Sequence, residues 1–318
     1  MLSKTGSQEI SMNVGRFLLL CLVVFASGCG AAFAQAVLPA VQPDMAASLL
    51  RDKHTGLMQA LANNVYGRPL YLDSLQTGNR VTGNAFAVLN APFALVSNSL
   101  KSPQRVCDLI ILHINTKYCR PTLDSSPSTL MVNFGKKTAQ PLGDTFALEF
   151  AMAASALTPG YLQVQLYAEK GPLGTSGYGI DLAAIPLAGD KTFLHLRYSY
   201  GFGLAGKLAM QAYLATAGSS KIGFTQLPAA GVDQATSKAY VGGMRGAVER
   251  NTMRYYLAID AYLLSLEAPP AQQLNTRLEK WFDSTEQYSL QLHETDKASY
   301  LAMKKSEVQR QQSALPEQ

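Results

Sequence analysis

The histidines and a few charged residues on predicted strands are the side chains whose spacing could support chemistry. His195 and Arg197 are two positions apart in a strand-like run, so their side chains lie on the same face. Glu169 ends a nearby strand-like run. These three could form a polar group in a pocket, or a salt bridge on the surface. No G-x-S-x-G motif occurs, and the Gly171–Thr175 loop lacks a phosphate-binding lysine, so neither a nucleophile elbow nor a P-loop is predicted.

Two cysteines outside the N-terminal segment predict a disulfide. Cys107 and Cys119 are separated by one short stretch that begins in a predicted helix and ends in a loop. If the chain is exported, an oxidising compartment favours a bond between them. The alternative is a zinc site completed by His113, but the spacing of these residues matches no compact zinc motif. We therefore expect a disulfide, no metal and no cofactor.

The N-terminus predicts export. Arg16 precedes an apolar run over 17–25, and Ala32-Phe33-Ala34 follows it, which is the pattern of a secretory signal peptide cleaved before Gln35. The alternative is a lipoprotein signal, because Ala26-Ser27-Gly28-Cys29 resembles a lipobox with Cys29 as the acylated residue. Membrane attachment is expected only through such an acyl chain. The net charge of +5 includes no clustered Lys/Arg tract, so no nucleic-acid partner is expected.

The periodicity of the remaining chain predicts helices at both ends and strands between them. A helix over 45–63 precedes two strands over 69–75 and 80–89, and two short helices over 93–100 and 103–113. Four strands joined by short turns then form an antiparallel meander (145–154, 161–168, 178–187 and 192–202). The later helices cover 204–216, 242–266 and 274–288, and residues after His293 are expected to form a solvated helix that frays.

The order of these elements resembles the START and Bet v 1-like (SRPBCC) superfamily. The resemblance rests on Val81-Thr82-Gly83-Asn84-Ala85-Phe86-Ala87-Val88-Leu89, on Ala91-Pro92-Phe93 with the helices through Asp108, and on the long helix from Gly242. It implies an α+β helix-grip fold, in which a curved antiparallel sheet wraps around a long C-terminal helix and encloses an apolar cavity. That domain would cover 66–268, between a tether and N-terminal helix over 35–65 and a helical extension over 269–318. The block over 240–256 also resembles uncharacterised exported bacterial proteins.

The long helix is expected to direct Tyr255, Ile259 and Tyr262 at the sheet, with Arg245, Glu249, Arg250 and Arg254 largely towards solvent. Small sheet residues such as Gly83, Ala85, Ala87, Ala147, Ala151, Ala153, Ala154, Ala183 and Ala184 would leave space beneath the helix. The alternative is that Phe86, Phe146, Phe150 and Tyr255 fill this space. The predicted ligand-binding residues are Phe86, Phe150, Val164, His195, Arg197, Tyr255, Ile259 and Tyr262.

The resulting functional hypothesis is an exported, non-enzymatic protein that binds a lipid-like or other hydrophobic small molecule. One alternative is an enzyme of the same superfamily, such as a cyclase or hydrolase, that uses His195, Arg197 and Glu169. The other is an envelope scaffold protein with a filled core.

Overall fold

The structure is a computed structural model that describes residues 43–122, 127–215, 221–227 and 240–313. The predicted signal peptide, its cleavage site and Cys29 lie outside the described residues. Within those residues, no helix is long and apolar enough to cross a membrane.

Eight antiparallel strands form one curved sheet in the order β1-β2-β8-β7-β6-β5-β4-β3. The strands are β1 (Leu70–Thr77), β2 (Arg80–Leu89), β3 (Thr116–Thr122), β4 (Ser128–Phe134), β5 (Phe146–Thr158), β6 (Tyr161–Lys170), β7 (Thr175–Leu187) and β8 (Lys191–Phe202). The helices are α1 (Pro43–Ala62), α2 (Phe93–Leu100), α3 (Pro103–Ile110), α4 (Leu204–Ala215), α5 (Gly243–Ser265), α6 (Gln273–Glu286), α7 (Ser289–Leu292) and α8 (Lys297–Ser313). The predicted helix-grip arrangement is confirmed, because α5 packs against the inner face of this sheet.

The long helix α5 lies very close to β2. A Cβ atom placed on Gly83 would lie 2.4 Å from Oγ1 of Thr252, so only glycine fits between the strand and the helix. Gly83 therefore permits close packing of α5 on β2 rather than leaving a void, which corrects the expectation for this residue.

A second correction concerns the polar residues of α5. Glu249, Arg250 and Arg254 are buried, although they were expected to face solvent. Glu249 accepts hydrogen bonds from the backbone N–H groups of Phe224 and Thr225, at 2.6 and 2.9 Å. The helix is thus covered on all sides, and its polar side chains bind neighbouring segments instead of water.

Helix α1 covers the outer face of the sheet. Phe86, Ile185 and Phe193 pack there against Leu50, Leu57 and Leu61 of α1, in a cluster separate from the main core. The sheet is therefore apolar on both faces over part of its area, and strand alternation alone cannot show which face meets α5.

The C-terminal helices are packed rather than solvated. Tyr300 and Lys304 of α8 have no exposed surface, and α8 lies against β3. The ring of Tyr300 stacks on Trp281 of α6 at 4.9 Å, and the Trp281 indole donates a hydrogen bond to the Arg254 carbonyl at 3.1 Å. The expectation of a fraying surface helix after His293 is wrong for residues 297–313.

Strands β3 and β4 extend the sheet where no strand was predicted. The predicted disulfide is confirmed: Cys107 of α3 is bonded to Cys119 of β3, with their Cα atoms 5.1 Å apart. The bond uses both thiols, so the zinc alternative is excluded. It closes the turn that contains His113.

Candidate functional site

A cavity of about 560 Å³ lies between α5 and one end of the sheet. Its walls come from α5, from β4 and β5, from β7 and β8, and from the turn between α3 and β3. The loops 135–144 and 172–173 surround its mouth. A volume of this size is typical of small-molecule sites in proteins.

Aromatic and aliphatic side chains form most of the wall. Phe134 and Phe150 meet edge to face on one side, with their ring centres 6.4 Å apart and Leu148 beside them. Tyr198 and Tyr255 pack on the other side at 5.4 Å. Burial raises the pKa of both tyrosines, so each phenol stays protonated at neutral pH. The wall suits an uncharged apolar molecule.

The mouth of the cavity also has apolar groups. Phe146 is 49% exposed and Leu173 is 63% exposed, although both line the opening. Lys136, Gln140 and Asp144 supply the polar part of the rim. Gln140 holds this loop in shape, because its amide accepts from the Lys136 N–H at 2.6 Å and donates to the Asp144 carbonyl at 2.9 Å.

A small polar cluster interrupts the apolar wall. It consists of His113, Asn251 and the hydroxyl of Tyr198, and the Asn251 amide lies beside both of the others. Nδ1 of His113 accepts a hydrogen bond from the Asn115 N–H at 3.2 Å. Burial lowers the pKa of His113 well below its usual value, and the cations Arg254 and Lys304 lower it further. The imidazole is therefore neutral at pH 7 and has its proton on Nε2.

The turn that contains His113 is held by α8. The Tyr300 hydroxyl donates to the Leu112 carbonyl at 2.9 Å. The Lys304 ammonium donates to the carbonyls of His113 and Thr116, at 2.8 and 2.6 Å. With the Cys107–Cys119 disulfide on the same segment, these bonds fix the backbone at this end of the cavity.

Glu294 connects the rim of the cavity to α5. Its carboxylate pairs with Lys137 of the rim loop at 2.7 Å, with Arg254 of α5 at 2.7 Å and with Lys221 at 3.1 Å. The pKa of Glu294 is lowered although burial opposes the shift, because the cations Arg254, Lys137 and Lys221 favour the ionised form. The rim loop is therefore fixed by ion pairs as well as by Gln140.

Only some of the predicted ligand-binding residues lie at this cavity. Phe150 and Tyr255 line it. Val164 and Ile259 lie in the packed core, where Val164 pairs with Leu182, and the small gap beside Ile259 and Leu182 measures only about 20 Å³. Tyr262 lies under the Arg277 guanidinium of α6 at 4.7 Å, rather than at the cavity.

Phe86, His195 and Arg197 lie on the outer face of the sheet, away from the cavity. The imidazole of His195 stacks on Phe86 at 4.1 Å, and its Nε2 donates to Oδ1 of Asn84 at 3.0 Å. Arg197 pairs with Asp181 at 2.9 Å. The sequence predicts Phe86, His195 and Arg197 at one site with Tyr255. The register of the sheet instead places them on the opposite face from the cavity.

The polar group expected for an enzyme is not assembled. Gln163, Ala183 and His195 lie in one row across β6, β7 and β8. Glu169 is six positions further along β6, which corresponds to roughly 20 Å. His195 and Glu169 cannot act on one substrate atom at this separation.

Sequence reasoning missed the polar part of the site. The sequence indicates His113 only as a possible zinc ligand, and no sequence pattern indicates Asn251. One sequence signal for the site is the high frequency of tyrosine in the second half of the chain, since Tyr178, Tyr198 and Tyr255 all line the cavity. The described residues contain no group of three or more His, Cys, Asp or Glu side chains that could hold a metal ion.

No protein-family model matches the chain, and no curated protein sequence does. Among solved structures, a START superfamily protein from Mycobacterium smegmatis aligns at 16% identity, over 44% of this chain and 92% of its own, with a TM-score of 0.29. Human StAR-related lipid transfer protein 5 aligns at 10% identity, over 54% and 90%, with a TM-score of 0.30. Zhui aromatase/cyclase from Streptomyces sp. R1128 aligns at 10% identity, over 69% and 95%, with a TM-score of 0.31.

The chain has the helix-grip fold. The strand order and the packing of α5 against the sheet establish this. Similarities of this size say nothing about a ligand or an activity for this chain, because one fold supports many functions.

Proposed function

We propose that this chain binds a hydrophobic small molecule in the cavity between α5 and the sheet. The observation that supports the proposal is the cavity itself, with about 560 Å³ of space and walls made largely of Phe, Tyr and Leu side chains. Burial of an apolar ligand against these walls is favourable in proportion to the area removed from water. A scaffold with a filled core would not leave this volume beside its main helix.

We also propose that the protein is exported and that it binds its ligand without catalysing a reaction. The Cys107–Cys119 disulfide is compatible with an oxidising compartment. Mass spectrometry of the protein from a bacterial envelope fraction tests the first part, since cleavage before Gln35 and acylation at Cys29 give different N-terminal masses. Recovery of the bound molecule with its mass unchanged after long incubation tests the second part.

Displacement of an uncharged fluorescent probe tests binding. N-phenyl-1-naphthylamine should bind the purified, ligand-free protein in a saturable manner, with one site per chain. Leu148 lies on the inner face of β5 and lines the cavity. Leu148→Trp should weaken probe binding at least tenfold, because the indole occupies space that the probe needs.

A matched control separates the blocked cavity from other effects of a new tryptophan. Leu290→Trp makes the same substitution at a residue of α7 that is 65% exposed, and it should leave probe affinity unchanged. Absence of saturable binding together with absence of any co-purifying apolar molecule would refute the proposal. Equal affinities of the wild-type and Leu148→Trp proteins would move the binding site away from this cavity.

A further inference from the structure

The tautomer of His113 determines what the cavity offers to a ligand. Nδ1 accepts the Asn115 N–H, so the neutral ring has its proton on Nε2 and can only donate there. Nε2 is buried and has no hydrogen-bond partner of good geometry. The amide of Asn251 is a polar group that interacts with this imidazole. A buried donor of this kind favours an oxygen, and not an NH₂ group, on the neighbouring side chain.

Arg254 also requires the oxygen of the Asn251 amide to point towards its guanidinium. Its Nη1 donates to Oδ1 of Asn251 at 3.3 Å, and a guanidinium has no acceptor. Two donors, His113 and Arg254, therefore face the oxygen of the Asn251 amide. The NH₂ group of that amide is left for the Tyr198 side and for the cavity, which Asn251 lines.

This orientation cannot easily relax, because the His113 turn is fixed. Lys304 and Tyr300 bind the carbonyls of residues 112, 113 and 116, and the disulfide spans the same segment. The hydroxyl of Tyr255 makes no hydrogen bond within the described part of the chain and also lines the cavity. The polar cluster thus presents N–H and O–H donors, and the Asn251 oxygen is already used.

We infer that the ligand has a hydrogen-bond-accepting oxygen, such as a ketone carbonyl, on an apolar body, and that Asn251 with Tyr198 binds this oxygen. His113 and Arg254 are positioning residues that hold the Asn251 amide with its NH₂ group towards the cavity. This inference rests on the proposed function, since it concerns the ligand of the same cavity. The cavity selects apolar molecules that have one accepting oxygen, in preference to hydrocarbons of the same shape.

A pair of nearly isosteric competitors tests the inference. 9-Fluorenone and fluorene have the same ring skeleton and differ by one carbonyl oxygen. In displacement of N-phenyl-1-naphthylamine from the wild-type protein, 9-fluorenone should compete at least tenfold more strongly than fluorene. Asn251→Leu and Asn251→Asp should each reduce this preference, measured as the ratio of the two affinities on the same variant, to less than twofold, because each removes the NH₂ donor.

Asn98→Asp is the matched control, since Asn98 is an exposed residue of α2, and the preference should persist there. Equal competition by the two compounds in the wild-type protein, or an unchanged preference in both Asn251 variants, would overturn the inference while leaving hydrophobic binding intact. Failure of probe and both compounds to bind would instead refute the proposed function.

An infrared measurement does not depend on the variants folding. The carbonyl stretch of 9-fluorenone bound to the wild-type protein should move to lower frequency than in an alkane solvent, because a donor withdraws electron density from the oxygen. A bound carbonyl with its alkane frequency would overturn the inference.

Discussion

Glu307 is a carboxylate that pairs with two lysines inside the protein. Its Oε1 lies 3.0 Å from Nζ of Lys117 and its Oε2 lies 2.8 Å from Nζ of Lys304. Neither lysine side chain has any exposed surface. Glu307→Gln preserves the shape of the side chain but leaves two buried ammonium groups without a counter-charge. We expect this substitution to destabilise the protein by about 3–5 kcal/mol at pH 7.

The expected loss depends on pH in a defined direction. Burial lowers the pKa of Lys304 from 10.5 to about 8, so the unfolded chain binds more protons than the folded one between these values. Wild-type stability therefore rises with pH across this window. Removal of the Glu307 charge moves the pKa of Lys304 still lower, and the variant starts to gain stability below pH 8. Between pH 7 and 9 the wild-type protein gains about 1.4 kcal/mol from Lys304, because this group titrates near pH 8. A variant in which Lys304 is already neutral at pH 7 gains about 2.7 kcal/mol over the same range, so the loss should shrink by up to about 1.4 kcal/mol.

Urea unfolding at pH 7 and pH 9, followed by far-UV circular dichroism and by fluorescence of the single tryptophan, measures both quantities. Trp281 stacks on Tyr300 of the same helix that contains Glu307, so its emission reports on this region. Glu279→Gln changes an exposed glutamate of α6 and should stay within about 0.5 kcal/mol of wild type. A Glu307→Gln protein as stable as wild type, or a loss identical at the two pH values, would refute the reasoning.

Three further predictions concern other parts of the chain. Burial, with Arg197, lowers the pKa of His195 to about 4, so stability should fall by up to about 3 kcal/mol as the pH falls from 6.5 to 4. In the His195→Phe variant this pH-dependent loss of stability should be absent. If urea unfolding shows that wild type and variant lose stability equally between pH 6.5 and 4, His195 is not the group responsible. Gly83→Ala should lower the free energy of unfolding by about 1–3 kcal/mol, because its Cβ meets Oγ1 of Thr252. The double variant Gly83→Ala with Thr252→Ala should lose less stability than the sum of the two single variants. Strict additivity would show that this contact is not responsible. Reduction of the Cys107–Cys119 disulfide should cost about 2–3 kcal/mol and weaken probe binding, and a reduced protein with unchanged probe affinity would show that the disulfide does not shape the cavity.

Local patterns predicted most elements but not the face on which strand residues lie. A period of two shows that His195 and Arg197 share a face, yet it does not show whether that face meets α5 or α1. Phe86 illustrates the difficulty, because a large apolar residue is expected in the main core but here packs beneath α1. Only the pairing of all strands settles the question, and no short window of sequence contains that information.

Charged residues that the protein pairs internally are not recognisable as buried from their sequence pattern. Glu249, Lys304 and Glu307 are typical of solvated helix faces, and each is buried. Besides the Lys304–Glu307 pair within α8, their partners lie far along the chain, such as Phe224 for Glu249 and His113 for Lys304. Sequence distance hides such partners, so burial of these residues could not be predicted.

The location of the cavity follows from where α3 ends. Side chains of α2 and α3, including Leu100, Val106 and Ile110, fill the part of the inner face that lies against Ile259 and leave a gap of only about 20 Å³. Helix α3 stops at Ile110, and the disulfide draws the chain back into β3. Within the described residues, α5 is the only α-helix that lines the cavity, so the space next to Tyr255 stays open. Strand β4, which sequence patterns did not predict, contributes Phe134 to the wall of this cavity. Helix α8 contributes indirectly, because it fixes the turn between α3 and β3.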